Sequence, residues 1–280
     1  MAAARARGGG GSMGVGQHLE QQLALPLWPE EVRAVPNAIL RGALFGVGRE
    51  RTFLPVLTKI ESVEGIEIRC KNDRLNQVDL DLWEALLHLQ RLQPLGVKIT
   101  FAARSVLVGL GRGESGRAHE DLHNGLARLV GSVVEIKWLK EKKVFVGSLV
   151  SSFFRDEESG RYVVRFNQDM ALLYGSGYTF LDLSQRQALA QNNLAKWLHS
   201  YYSSHARPYP NLVKTVQRLC GSLASTKEFR RLLAAALAQL VGVGALLSWS
   251  IDQRTDMVKV VKVASKSQQR HIARSIRGRS

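Results

Sequence analysis

Residues 226–263 read TKEFRRLLAAALAQLVGVGALLSWSIDQRTDMVKVVKV, and this stretch decides the fold. Ser225 stands where an N-cap belongs, and Glu228, three residues on, completes a capping-box pattern. Leu232, Leu233, Ala236, Leu237 and Leu240 form an apolar stripe at helical spacing, which Gly242 and Gly244 end. ALLSWSI and MVKVVKV follow as strands, separated by a turn over residues 252–256. Helix, strand, turn, strand is the second half of a winged helix. Lys227, Arg230 and Arg231 crowd the first two helical turns, the end at which a recognition helix meets base edges. The same residues also read as a core helix and a hairpin carrying ordinary solvated charges.

Outward from this unit, residues 36–45 read as a short helix. Residues 52–60 and 66–70 read as strands around a Glu64-Gly65 turn. Residues 79–93 form a helix started by Asp79 and Asp81, with Leu82, Leu86, Leu89 and Leu92 inward. Residues 104–110 and 115–130 are two further helices. After Gly131 the period becomes two, through VVEIKWL, KVFVGSLVSSFF and RYVVRF, which reads as a wing. Residues 183–204 read as one long helix and residues 212–219 as a shorter one. The fold class expected is α+β, with two winged helices in tandem joined near residues 167–182. The divisions are a flexible arm over 1–34, a first winged-helix domain over 35–172, a second over 173–264 and a basic tail over 265–280.

The 280 residues carry a formal net charge of +15, which favours a polyanionic partner because each neutralised phosphate releases counterions. Membrane surfaces are the competing anion, but no run approaches the roughly 18 apolar residues of a spanning helix. No secretory signal is visible near Met1. Cys70 and Cys220 form no CxxC pair, which fits a reducing cytoplasm. Lys262, Lys266, Arg270 and Arg274 recur every four residues toward the C-terminus and would make one cationic stripe on a helix.

Two motifs point toward enzymes. His119-Glu120-Asp121-Leu122-His123 satisfies H-E-x-x-H, whose histidines can ligate zinc from one helix face. The charged Asp121 inside it and the lack of a convincing third ligand argue against a zinc hydrolase. Residues 111–118, GRGESGRA, resemble a phosphate loop, but Arg117 replaces the lysine and Ala118 the magnesium-holding hydroxyl. The turn instead enters a helix whose free N–H groups, with Arg112 and Arg117, can hold a DNA phosphate. The plain alternative is a bare glycine-rich turn. No cofactor or resident metal is expected. In the arm, Gln22-Leu23-Ala24-Leu25-Pro26-Leu27-Trp28 is an apolar peptide kept extended by its prolines. It reads either as a docking peptide for a partner groove or as a segment packed back on the first domain.

As a set, residues 25–47 (LPLWPEEVRAVPNAILRGALFGV), RTFLP, DLDLWEALLHL, FAARSVLVGLGR, FNQDMALLYG and LAKWLHSYYSSHARPYP resemble plasmid replication initiators of the TrfA type, from broad-host-range IncP plasmids. The resemblance spans about residues 17–264. It implies a non-enzymatic, plasmid-associated protein of the bacterial cytoplasm that binds direct repeats (iterons) at an origin and thereby bears on copy control. It further implies opening of an A·T-rich region, contact with the melted single strand, and recruitment of DnaA, the replicative helicase and the polymerase sliding clamp. A monomer–dimer equilibrium is implied as well. Gln22, Leu23, Leu25, Leu27 and Trp28 are similar to bacterial clamp-binding peptides, with Leu44-Phe45 as the alternative ending. On this reading Thr226, Lys227, Arg230 and Arg231 face the major groove. Arg112, Arg117 and Arg128, the wing lysines Lys140, Lys142 and Lys143, and the tail residues Lys262 and Lys266 supply backbone contacts. A winged-helix transcriptional repressor would show the same sequence features apart from the clamp-like peptide.

Overall fold

A computed structural model describes residues 24–265 together with Gln268 and Gln269. Strand β1 (Val32–Pro36) leads into α1 (Asn37–Leu40), a single helical turn where ten residues were expected. Helix growth stops because Gly42 lies against the next segment: a Cβ there would sit 2.7 Å from the Glu61 carbonyl oxygen. The chain then forms β2 (Phe45–Gly46), which pairs in parallel with β5 (Leu75–Asn76).

Strands β3 (Phe53–Ile60) and β4 (Ile66–Asp73) form the expected hairpin, and Gly65 takes the left-handed φ of +86° that its turn requires. Helix α2 (Gln77–Gln90) starts two residues earlier than expected, because Asn76 and Asp79 form a reciprocal capping box. Its buried face is Leu80, Leu82, Trp83, Leu86 and Leu87, whereas Leu92 is 75% exposed because it lies beyond the helix end.

The wing expected after Gly131 divides between two sheets. Strands β7 (Val133–Trp138) and β8 (Lys143–Gly147) extend the first hairpin into a four-stranded antiparallel sheet, β3-β4-β7-β8. Val134, Ile136 and Trp138 are buried on β7 and pair with Cys70, Ile68 and Ile66 of β4 along the whole strand. Only β9 (Val150–Arg155) and β10 (Arg161–Phe166) return to the helices. There they join β6 (Ile99–Ala102), which precedes helices α3 (Ala103–Gly109) and α4 (Gly116–Gly131).

Past a 3-10 turn, α5 (Ala171–Gly175) and β11 (Tyr178–Asp182) return to the first half, where β11 pairs with β1. The long helix expected over 183–204 is two helices, α6 (Leu183–Ala188) and α7 (Asn193–Ser203). Ala190 turns between them at φ +48°, and the Asn192 side chain caps α7 by accepting from the Ala195 amide. Then come β12 (Asn211–Leu212), α8 (Val213–Leu219), α9 (Thr226–Gly242), β13 (Ser248–Ile251) and β14 (Met257–Val261).

The two halves share one connectivity. In the first, α2 is followed by β6, α3, α4 and, after β7 and β8 are inserted, the β9–β10 hairpin, with sheet order β6-β10-β9. In the second, α7 is followed by β12, α8, α9 and the β13–β14 hairpin, with sheet order β12-β14-β13. Each half has its own apolar core, the first ending at Leu181 and the second beginning at Leu189. Leu173, Tyr174 and Leu181 belong to the first.

Helix α2 binds its surroundings through carboxylates. Asp79, fully buried, accepts from the Asn76 amide at 3.0 Å, from Arg51 at 2.5 Å and from Arg128 of α4 at 2.9 Å. Between the halves, buried Arg186 donates to Asp81 at 2.7 Å, to the Ser200 hydroxyl at 2.9 Å and to Gln77 at 3.1 Å, and lies 3.2 Å from Glu84. Lys196 of α7 reaches the second oxygen of Asp81 at 2.6 Å. Burial pushes the Glu84 carboxyl up to about 7, against the pull of Arg186, and its Oε1 has no partner. Nearby, burial and the Arg186 charge hold His199 down at about 3, with its Nε2 3.1 Å from the Gln185 amide oxygen.

Two outcomes are expected. Asp79→Ala leaves Arg51 and Arg128 without their shared carboxylate, and urea unfolding should register a loss of about 3–5 kcal/mol. A loss within about 0.5 kcal/mol of zero would mean that the buried pair holds nothing in place. For His199 the folded pKa lies below the usual 6.5, so the unfolded chain binds more protons and stability falls as pH drops through 6.5 toward 3. His199→Asn should therefore lose less stability than the parent chain between pH 6.5 and 4.5. Equal slopes would show that His199 is not the group responsible.

Candidate nucleic-acid interface

The third helix of each repeated unit, α4 and α9, begins at a serine cap and carries cations around that end. The Ser225 hydroxyl accepts from the Glu228 amide at 3.3 Å. The capping box is not closed, because the Glu228 carboxylate turns instead to Arg231 at 2.6 and 3.0 Å. Thr226 and Lys227 are exposed at the first turn, and Lys227 makes no ion pair among the described residues. Arg230 is held against the β13–β14 turn by an ion pair to Asp256 and a bond to the Asp252 carbonyl oxygen at 3.4 Å. Asp252 organises that turn: its Oδ1 accepts from the amides of Arg254 and Thr255 at 2.9 and 2.8 Å, and these bonds hold its pKa below the usual range. The hairpin thus fixes the height at which Arg230 leaves the helix, and it adds exposed Arg254 and Lys259, which are not among the cations expected from the sequence. For Lys259 the alternation in MVKVVKV is the available signal, and for Arg254 its place in the turn between the two strands.

In the first half, the Ser115 hydroxyl caps α4 by accepting from the Ala118 amide at 3.2 Å. Before that cap, Gly111 takes φ +67° after helix α3, so the glycine-rich turn joins two helices and not a strand to a helix. An open groove of about 640 Å³ lies at this end, lined by Arg51, Arg112, Ser115, Arg117, Arg128 and Gln191 among others. Arg117 is exposed and Arg112 half-buried, both without an ion pair among the described residues. Arg128 faces the groove but is committed to Asp79.

Other cations expected at the interface lie elsewhere. Lys140, Lys142 and Lys143, expected on the wing that follows Gly131, are exposed at the β7–β8 turn of the four-stranded sheet and not on the β9–β10 hairpin. That hairpin has its own exposed cations, Arg155 and Arg161, and Lys98 sits 5.6 Å over the Phe154 ring. Lys262 is no free tail charge: its ammonium donates to the carbonyls of Tyr202 and Ser203 at 2.8 and 3.4 Å, at the C-terminal end of α7. Burial there lowers its pKa to about 8. Lys266, Gln22 and Leu23 lie outside the described residues.

The H-E-x-x-H segment lies on α4, and among the described residues no three His, Cys, Asp or Glu side chains converge to hold a metal. His123 packs its ring edge-on to Phe153 at 5.2 Å, which couples α4 to the β9–β10 hairpin. In the arm, Leu25 and Trp28 are buried in the first core and Leu27 is 74% exposed. The alternative pair Leu44-Phe45 is wholly buried. Among the described residues no helix is long and apolar enough to cross a membrane.

Comparison with known proteins places this geometry. A family model described as TrfA protein matches residues 17–260. A curated relative, the plasmid replication initiator protein TrfA of Escherichia coli, is 27% identical over 243 residues, covering 80% of this chain and 62% of the relative. The chain therefore spans about 62% of that relative's length. Among solved structures, domains 2 and 3 of RctB superpose with a TM-score of 0.54 at 16% identity, over 81% of this chain and 98% of that one. The Pi initiator protein in complex with iteron DNA gives 0.50 at 12% identity, over 68% and 96%. At such identities the likeness is one of fold.

Proposed function

The chain belongs to the TrfA family, and from that premise we propose that it is a plasmid replication initiator that binds iteron DNA through two winged helices in tandem. The observation that carries this reading is the repeated unit: α4 and α9 are its equivalent third helices, and each starts at a serine cap surrounded by cations. A helix start presents free N–H groups and the positive end of its dipole to phosphate. The first winged helix comprises α2, α3, α4 and the β9–β10 hairpin; the second comprises α7, α8, α9 and the β13–β14 hairpin. The hand-over between them falls between Leu181 and Leu189. That the Pi initiator was solved on iteron DNA with the same fold supports this assignment.

The protein acts by binding and not by catalysis. Thr226, Lys227, Arg230 and Arg231 enter the major groove. Arg230 exchanges Asp256 for a base edge there, aimed by the turn that holds it. Arg112 and Arg117 grip the backbone at the second contact. Arg155 and Arg161 on the first hairpin, and Arg254 and Lys259 on the second, flank the two helices as wing contacts. Phosphate contacts set register and affinity, while base contacts set sequence. Bending between two sites on one rigid joint strains the adjacent duplex, and A·T-rich steps yield first. The resemblance extends the proposal to DnaA, the replicative helicase, the melted single strand and a sliding clamp met by the Gln22–Trp28 peptide. It also extends to a monomer–dimer equilibrium in the bacterial cytoplasm.

Fluorescence anisotropy with an iteron duplex and a scrambled duplex, across salt and with EDTA, tests the central statement. The iteron should be preferred about a thousandfold or more, with no effect of EDTA. Arg230→Ala should lower iteron affinity at least about tenfold, the scale of one guanine contact, and scrambled affinity much less. Arg117→Ala should weaken both duplexes alike and reduce the salt slope by about one. Equal, steeply salt-dependent binding to both duplexes by the parent chain would reduce it to a nonspecific basic protein.

A further inference from the structure

We propose that the arm is self-inhibiting: the apolar side chains that a partner groove needs are already held by the protein's own first core. This rests on the reading of residues 22–28 as a partner-binding peptide. Leu25 and Trp28 are each only 5% exposed. The Trp28 indole N–H donates to His88 Nδ1 at 3.0 Å. Because Nδ1 accepts, the proton of the neutral ring sits on Nε2, which donates to the Glu30 carboxylate at 2.6 Å. Arg91 closes the loop from below, donating from Nε to the Trp28 carbonyl at 3.0 Å and from its other nitrogens to the His88 carbonyl and the Glu30 carboxylate. Every polar atom of this clasp except the Glu30 carboxylate lies on Trp28 itself or at the C-terminal end of α2.

The clasp divides the peptide into two surfaces. Leu27 points outward and is available to a partner, while Leu25 and Trp28 on either side of it point inward. A groove that takes the leucine and the aromatic side chain together must therefore win them from the first core. Binding and docking are mutually exclusive, so apparent affinity falls by the fraction of time the arm is released. An arm released about 1% of the time weakens apparent affinity about a hundredfold. Leu27 offers a first contact that needs no release, so partner engagement proceeds by capture of Leu27 and then displacement of Trp28.

The test uses the full chain, a fluorescent synthetic peptide of residues 17–30, and a purified bacterial sliding clamp as probe. The free peptide should bind the clamp at least about tenfold more tightly than the full chain. His88→Ala, which removes the indole's acceptor, should bring the full chain toward the peptide's affinity. Glu30→Ala opens the clasp from its solvent side and serves as the second variant, should His88→Ala fail to fold by urea titration. Iteron affinity should be unchanged in both. If the free peptide binds no better than the full chain and neither variant alters clamp affinity, self-inhibition is overturned while the clamp reading stands. If the free peptide does not bind at all, the clamp reading itself fails, and the inference with it.

Discussion

Three carboxylates on one helix organise this molecule. Asp79 caps α2 and draws in Arg51 and Arg128, which fixes the third helix of the first unit against the first. Asp81 and Glu84, on the adjoining stretch of the helix, take Arg186 and Lys196 and fix the second half against the first. Buried charges of this kind demand partners, because an isolated ionised carboxylate out of water is destabilising by several kcal/mol or more. The result is strict geometry: two serine-capped helices are set on one frame by the same helix. Glu84 marks how tightly the frame closes, since its desolvation outweighs even a neighbouring guanidinium.

The interface cations divide into free and engaged. Lys227, Arg112 and Arg117 make no ion pair among the described residues, whereas Arg230, Arg231 and Arg128 each hold a carboxylate. Exposed pairs contribute little to stability and are readily exchanged. Arg230 and Arg231 thus sit ordered at small energetic cost, and on the proposed reading a nucleic acid would replace an existing partner without first freezing a mobile chain. Arg128 differs, since leaving Asp79 would strip a buried carboxylate of one of its two guanidinium partners, so it serves the frame.

Local patterns in the sequence were legible wherever a local rule decides the structure. The α9 boundaries follow from Ser225, the apolar stripe and the glycines, and the Gly65 hairpin from its turn chemistry. Non-local choices were not legible. A period of two announces strands in residues 133–166, but it carries no information about which sheet they join; pairing with β4 decided that, across more than 60 intervening residues. The break inside residues 183–204 falls at Ala190, an exposed residue and a good helix former that stands at φ +48°, two residues before the Asn192 cap that starts the next helix. Charge counting found Lys262 and Arg128 without seeing the carbonyls and the carboxylate that occupy them. Trp28 was recognisable as apolar and unpaired in sequence; its acceptor, His88, lies 60 residues away.

The joint between the halves also sets an order of events during synthesis. Arg186 meets Asp81 across 105 residues of chain, and Lys196 meets it across 115. Domains fold as they emerge, N-terminal first. Helix α2 can therefore find Arg51 and Arg128 long before residues 186–200 leave the ribosome, and until then Asp81 and Glu84 lie on an open, acidic face of an otherwise basic nascent chain. The emergence of α6 and α7 covers that face and gives both carboxylates their partners.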